Sequence, residues 1–170
     1  MEKLKDEELM SLVKKGELDK LQILFERHHK YVYNFLYKMC GDICHSEDIT
    51  QEVFYNIMRY RTSYNEGNFL SWLFTIARNC MNRHMKSRME HEEIEALGDV
   101  PIFEREEKDY TRLHMALNCL QPQDKEVLVL SRYQGIKYAE VAEIIGSTEG
   151  AVKSKVNRAL QKLRKIYFQN

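Results

Sequence analysis

The chain has 170 residues, room for one ordinary domain or two small ones. Hydrophobic residues make up 44% of it, enough for a packed core, and two prolines with seven glycines point to long helices and few turns. Basic and acidic residues balance at 26 each, so net charge names no partner, and no apolar run approaches the length of a membrane span.

The first residues, Met-Glu-Lys-Leu-Lys-Asp-Glu-Glu, lack the apolar centre of a secretion signal. Four cysteines in such a chain favour reduced thiols, and the expectation is a cytoplasmic protein. Residues 4–14 read as a short amphipathic helix on Leu4, Leu9, Leu12 and Val13, stopped near Gly16. Residues 18–39 form a longer one, with Leu21, Leu24, Phe25, His28, Val32, Phe35, Leu36 and Met39 at three- and four-residue steps. Gly41 and Asp42 end it. Ser46 is expected to cap the next helix, which runs to about Tyr60 with Ile49, Val53, Ile57 and Tyr60 inward.

Residues 62–68 are a polar loop, and Asn68 can cap a helix over 69–88. Its apolar face holds Leu73, Ala77, Cys80 and Met81, and Thr75, Arg78, Asn79, Asn82 and Lys86 share an opposite stripe. Periodicity then fades. Residues 90–109 carry nine acids against Arg105 and Lys108, with Gly98 and Pro101 as breakers, which reads as a linker between two units. A helix over 109–120 follows, then Pro122 in a first helical turn and a helix through Tyr133.

Residues 138–164 carry a helix-turn-helix pattern. Ala142 is small where two helices cross, Gly146 suits a left-handed turn, and Val152 can plug the angle between them. On the second helix Val152, Val156, Leu160 and Leu163 face inward, while Ser154, Asn157, Arg158 and Gln161 face out. Lys153 and Lys155 flank that face and can reach phosphates, and Asn157 and Arg158 can bond base edges. Thr148 as N-cap leaves backbone N–H groups that also suit phosphate. Residues 149–165 hold six basic residues and one acid, so duplex DNA in a major groove is the expected ligand.

A second positive block, residues 71–89, holds Arg78, Arg83, Lys86 and Arg88 and no acid. Tyr60, Tyr64, Phe69 and Trp72 crowd its start, and aromatics beside cations suit unstacked bases. Trp72, beside Leu73 and Phe74, is expected in the core. The loop residues Tyr64, Asn65, Glu66, Gly67 and Asn68 are expected to be exposed and functional. Asp48, Gln51, Glu52, Tyr55 and Arg59 line the outer face of the preceding helix, either as solvated charge or as a partner surface. Cys40, Cys44 and His45 invite a metal reading, but Cys80 and Cys119 have no close second ligand, and structural thiols are expected instead. No glycine-rich phosphate loop, nucleophile elbow or triad spacing occurs, so no catalytic residue, metal or cofactor is expected.

Three segments together carry a family resemblance: Ser46-Glu-Asp-Ile-Thr-Gln-Glu-Val-Phe54, Phe69-Leu-Ser-Trp-Leu-Phe-Thr-Ile-Ala-Arg-Asn79, and Glu126-Val-Leu-Val-Leu130 followed by the helix-turn-helix and Arg158-Ala-Leu-Gln-Lys-Leu-Arg164. In this order they resemble an extracytoplasmic-function sigma factor of bacterial RNA polymerase, over about residues 18–90 and 110–166. The resemblance implies an all-α fold of two small helical domains joined by an acidic linker: residues 1–90 as sigma region 2, 91–109 as linker, and 110–170 as sigma region 4.

It further implies that Asp48, Gln51, Glu52 and Phe54 dock on the coiled coil of the polymerase's largest subunit, with the polymerase flap as a second contact for the chain. Tyr64, Asn65, Asn68, Thr75, Arg78, Asn79, Asn82 and Arg83 would read and open the −10 element, holding a flipped base of the non-template strand. Lys153, Ser154, Lys155, Asn157 and Arg158 would read the −35 element as duplex. Relatives often pair with an anti-sigma factor, commonly at the inner membrane, without inserting in it themselves. The acidic segment would thread toward the RNA exit path, its carboxylates mimicking nucleic acid; composition alone reads a solvated tether. Two departures stand out. Leu120-Gln-Pro122 shifts the usual proline by one place, and Asn157 stands where relatives often carry a bulkier residue. The competing reading is a dimeric helix-turn-helix regulator binding paired half-sites. A metal enzyme using His45, Asp48 and Glu52 is a third, with no visible ligand set.

Overall fold

Among the described residues, 4–92 and 108–169 of the computed structural model, all regular structure is helical. The first half comprises α1 (Asp6–Lys14), α2 (Lys20–Cys40), α3 (Ile43–Arg59), a single 3-10 turn (Arg61–Ser63) and α4 (Phe69–Glu92). The second comprises α5 (Lys108–Asn118), α6 (Pro122–Leu128), a π turn (Val129–Tyr133), α7 (Tyr138–Ile145) and α8 (Glu149–Gln169). The all-α expectation holds. The acid-rich stretch expected as a linker falls largely on 93–107, outside the described residues.

Local chemistry sets most of the helix ends. Gly41 adopts φ 72° and its N–H reaches Tyr37 O, closing α2 with a left-handed residue. Asp42 follows in extended conformation, and its Oδ1 accepts the His45 N–H at 2.8 Å. That bond from the His45 backbone holds the Asp42 carboxyl below the usual carboxylate range. Asp42 is therefore the cap, not Ser46. Ser46 lies buried inside α3, its Oγ donating to Asp42 O. Asn68 caps α4 as expected, Oδ1 accepting the Ser71 N–H at 2.8 Å. The free Phe69 N–H at the same end donates to Glu7 Oε1 of α1 at 3.2 Å.

The first core gathers Leu9, Met10 and Val13 of α1 against Leu24, Val32, Phe35 and Leu36 of α2, Ile49, Val53 and Ile57 of α3, and Phe69, Leu73, Phe74 and Ala77 of α4. Phe35 and Phe74 meet edge to face with centroids 5.5 Å apart. Each such side chain removed from water contributes about 1.5–3 kcal/mol. Asp6 ties α1 to α2, accepting from Arg27 and bonding His28, each at 2.7 Å. Tyr60, expected inward, is 49% exposed, because α3 ends at Arg59 and the next residue leaves the helical register. Arg59 covers its ring instead. Phe25, also expected inward, is half-exposed and stacks on His29 at 4.7 Å.

In the second half, Leu117, Leu120, Val127–Leu130, Val141, Ala142, Ile144, Val152, Val156 and Ala159 are buried. Pro122 occupies the first turn of α6, as expected. The expected continuous helix through Tyr133 instead widens into the π turn. Gly146 has φ 66° and ends α7. Ala142 and Val152 sit buried at the crossing of α7 with α8, so the helix-turn-helix forms where the spacing placed it. The two halves touch: α4 packs on α7, and α2 meets α6 and the π turn. Lys125, buried at this junction, donates to Met39 O at 3.3 Å and to Asn118 Oδ1 at 2.8 Å. Burial pushes its ammonium below the ordinary lysine value.

Candidate nucleic-acid interface

Two positive faces are built on two helices. On α8, Val152, Val156 and Ala159 anchor one side in the core, and this fixes the opposite side outward. Lys153, Ser154, Asn157 and Arg158 are exposed there, and Lys155 is half-buried beside them. Thr148 caps the helix, Oγ1 accepting the Ala151 N–H at 3.2 Å. Lys162, one step further along, is held by Asp124 of α6 at 2.6 Å and is thereby turned toward the protein. Four of the five residues expected to read duplex DNA therefore stand exposed on α8, and Lys155 lies at the edge of that face beside the buried Ala159.

On α4, Asn79, Asn82 and Arg83 are exposed, and Thr75 and Arg78 are half-buried. Asn65 and Asn68 are exposed in the loop before it. Tyr64 is not. Its side chain is buried at 1% exposure, its ring 5.2 Å from that of Trp72, and its hydroxyl donates to Gly67 O. Lys14 Nζ caps the Tyr64 carbonyl at 2.6 Å. Burial pushes the phenol up to about 12, with Glu7, Glu66 and Asp6 nearby adding to it. Its expected exposure is thus corrected: the loop is short and polar, and one aromatic must turn inward to hold it. Tyr64 supports the loop from beneath.

Trp72, expected in the core, is half-buried and reaches a cleft of about 260 Å³. Asn65, Asn68, Ser71, Thr75 and Glu143 of α7 line the same cleft. Ser71 and Glu143 were not legible as site residues. Ser71 stands one helical turn before Thr75 on the same face, a spacing that could have found it. Glu143 carries no local sign, since it arrives from the other half of the chain.

Across that junction, Glu126 Oε1 accepts from Arg78 Nε at 2.7 Å, and Glu140 Oε1 accepts from Asn68 Nδ2 at 3.0 Å. Carboxylates of α6 and α7 thus occupy two of the donors expected to bind DNA.

The residues expected to meet polymerase divide in two. Asp48 and Gln51 are exposed on the outer face of α3. Glu52 is half-buried and turned to α4, where Arg83 and His84 both engage it. Phe54 is buried at 6% exposure and meets Phe25 edge to face at 4.9 Å, so it shapes the surface rather than standing out from it. It floors an apolar groove with Leu18, Leu21, Phe25, Tyr55 and Met58.

Among the described residues no cluster of three or more His, Cys, Asp or Glu side chains could hold a metal ion. Cys80 is buried, accepting from Asn56 Nδ2 at 3.2 Å, and burial pushes both Cys80 and Cys40 thiols up. No helix among the described residues is long and apolar enough to cross a membrane.

The chain matches two family models in order: sigma-70 region 2 over residues 24–90 and sigma-70 region 4 over residues 110–163. It is 33% identical over 171 residues to the extracytoplasmic-function RNA polymerase sigma factor BldN of Streptomyces coelicolor, covering 94% of this chain and 64% of that one. It is 29% identical over 164 residues to the RNA polymerase sigma factor CarQ of Myxococcus xanthus, covering 92% of this chain and 94% of that one. The chain thus spans less than two thirds of the Streptomyces relative and nearly all of the Myxococcus one. Among solved structures, CnrH in complex with the cytosolic domain of CnrY superposes with TM-score 0.78 at 20% identity, over 97% of this chain and 98% of that one. The sigma factor RpoE of Bartonella quintana, solved with the anti-sigma factor NepR, gives TM-score 0.75 at 24% identity, over 85% and 94%. At these identities the two structures speak for the fold.

Proposed function

This chain belongs to the extracytoplasmic-function sigma factors of bacterial RNA polymerase, and from that membership we propose that it binds core polymerase and directs it to promoters. It acts as a detachable, non-catalytic specificity subunit. The observation that supports this most is the pair of separate basic faces, on α4 and α8, each on a half that matches a sigma region. A paired-half-site regulator would place one such face per chain and double it by dimerisation.

In this reading residues 1–90 serve as region 2 and residues 110–170 as region 4, joined by the segment 91–109. Lys153 and Lys155 bind phosphates of the −35 element, and Ser154, Asn157 and Arg158 reach its base edges in the major groove. Asn65, Asn68, Thr75, Arg78, Asn79, Asn82 and Arg83 read the −10 element and hold its separated strand, with Tyr64 as the support of the loop. The cleft beside Trp72 offers a flat aromatic edge and polar walls to an unstacked base. Asp48 and Gln51 contact the coiled coil of the largest polymerase subunit, over a surface that Glu52 and Phe54 hold in shape, and the flap is the second polymerase contact. An anti-sigma factor of the kind seen with the Bartonella sigma factor is the regulatory partner, and the site of action is the cytoplasm, with sequestration at the inner membrane when such a partner is anchored there.

Gel filtration tests the assignment. The purified chain elutes alone as a monomer, joins added core polymerase in one peak, and retains promoter DNA only in that peak. A chain that dimerises and binds paired half-sites without polymerase contradicts it.

A further inference from the structure

We propose that the cleft between the end of α2, the first turn of α3 and the second half of α4 binds a soft monovalent metal ion, copper(I), through Cys40, His45 and the thioethers of Met85 and Met89. None of the residues lining this cleft has a role toward DNA or polymerase in the proposed function, and the site stands independently of it.

The cleft holds about 240 Å³ and brings together side chains from three helices. Cys40, half-buried at the end of α2, supplies a free thiol. His45 in the first turn of α3 and His84 of α4 supply imidazoles, and each has one nitrogen committed to a carboxylate. His45 Nδ1 stands 3.2 Å from Asp42 Oδ2, which leaves Nε2 for a ligand. His84 Nε2 bonds Glu52 Oε2, which leaves Nδ1. A carboxylate behind an imidazole fixes its tautomer and orients the opposite nitrogen, the arrangement found behind metal-bound histidines. Met85 and Met89 stand one helical turn apart on α4. Methionine is ordinarily buried, yet Met85 is 37% exposed and Met89 72%. At the wall of this cleft they present two thioether sulfurs.

The donor set selects the ion. A zinc site takes roughly three or four ligands from His, Cys, Asp and Glu, and no such group exists among the described residues. Copper(I) is satisfied by fewer donors, and thiolate and thioether sulfur select it. Methionine side chains are long, unbranched and mobile, so both thioethers can swing onto an ion that Cys40 and His45 have caught. Arg88 also lines the cleft. Its charge opposes a dication, whereas a monovalent ion on the Cys40 thiolate adds no net charge. On binding, the S–H bond of Cys40 breaks, its proton passes to solvent and an S–Cu bond forms, with no change of oxidation state. The bound ion ties α2 and α3 to the second half of α4.

The test uses the full chain, reduced and free of oxygen, titrated against the coloured copper(I) complex of bicinchoninate, whose fading reports the ion withdrawn. Wild type takes up a single ion, and uptake raises its melting temperature. Met85→Leu with Met89→Leu keeps side-chain volume at exposed positions. It weakens uptake by at least about tenfold and leaves the melting temperature of the metal-free chain unchanged. Cys40→Ser abolishes uptake. Met115 and Cys119, both exposed, in and just after α5, are the rival soft pair. Met115→Leu with Cys119→Ser leaves uptake unchanged, as does Cys44→Ser. X-ray absorption at the copper edge shows sulfur and nitrogen neighbours. Absence of uptake, full uptake by the Met85→Leu, Met89→Leu variant, or loss of uptake in the Cys119 or Cys44 variant overturns the proposal. Zinc(II) bound as tightly as copper(I) also overturns it.

Discussion

Arg78 of α4 and Glu126 of α6 form an ion pair at 2.7 Å, the carboxylate side chain 9% exposed and the guanidinium 29%. The pair joins the two halves across 48 residues of sequence. Removing Arg78 strands a mostly buried carboxylate. Arg78→Ala is expected to cost about 1–3 kcal/mol in urea denaturation, below the cost at a fully buried pair because Arg78 is partly wet. Arg78→Ala with Glu126→Gln recovers part of that loss. Additive losses would show that the pair does not couple the halves.

Tyr64 gives a pH signature. Its phenol is pushed up to about 12 in the fold, against an ordinary value of 10.0. The unfolded chain therefore loses this proton first. The stability held by the neutral, buried phenol is complete below pH 10 and is lost as pH rises toward 12, by up to about 2 kcal/mol. Tyr64→Phe is expected to flatten this limb relative to wild type in denaturation series between those pH values. Parallel curves for the two proteins would contradict the account of Tyr64 as a buried support.

Gly146 sits at φ 66° with open space around an added Cβ. Gly146→Ala meets no clash, so its cost is backbone strain alone, about 1 kcal/mol. Gly146→Asn is expected to lose less, since asparagine tolerates the left-handed region. Thermal melts of the two variants decide it; an alanine variant as stable as wild type would refute the turn argument.

The two pairs proposed to serve polymerase docking, Asp48 with Gln51 and Glu52 with Phe54, separate by chemistry. Asp48→Ala and Gln51→Ala alter exposed side chains and are expected to weaken association with core polymerase while leaving the fold intact. Phe54→Ala opens the packing against Phe25 and is expected to cost about 3–5 kcal/mol of stability. Surface plasmon resonance on immobilised core polymerase, read beside denaturation, distinguishes them. An Asp48 variant that loses stability and binding together would place that residue in the fold rather than at the interface.

On α8, Lys153→Ala is expected to weaken −35 duplex binding by the polymerase complex for all sequences and to lower the salt dependence by about one ion. Arg158→Ala, placed to reach a base, is expected to cost about 1–3 kcal/mol and to relax sequence preference. Identical salt slopes for wild type and the Lys153 variant would remove its phosphate role.

Most of this architecture was legible locally. Asn68 and Thr148 cap where their side chains allow, Gly41 and Gly146 end helices where φ turns positive, and Ala142 with Val152 fix the helix crossing. The misreadings are also local competitions. Asp42 outbids Ser46 as a cap because it follows the terminal glycine directly, Tyr60 falls one residue past the helix end, and Tyr64 turns inward because a short loop needs an anchor. What no local pattern could give is the junction. Asn68 meets Glu140 across 72 residues, and periodicity carries no information about charges that pair at that separation. Local pattern marks Asn68 and Arg78 as strand donors, and the acids that hold them lie 72 and 48 residues away, beyond what such a pattern carries.

The most direct measurement is run-off transcription with purified core polymerase on fragments of the source genome. The account predicts discrete transcripts that appear only when the chain is added, start downstream of paired −35 and −10 sequences, and fall away with Asp48→Ala or with Arg158→Ala. Initiation no different from core polymerase alone, on every fragment, would contradict it.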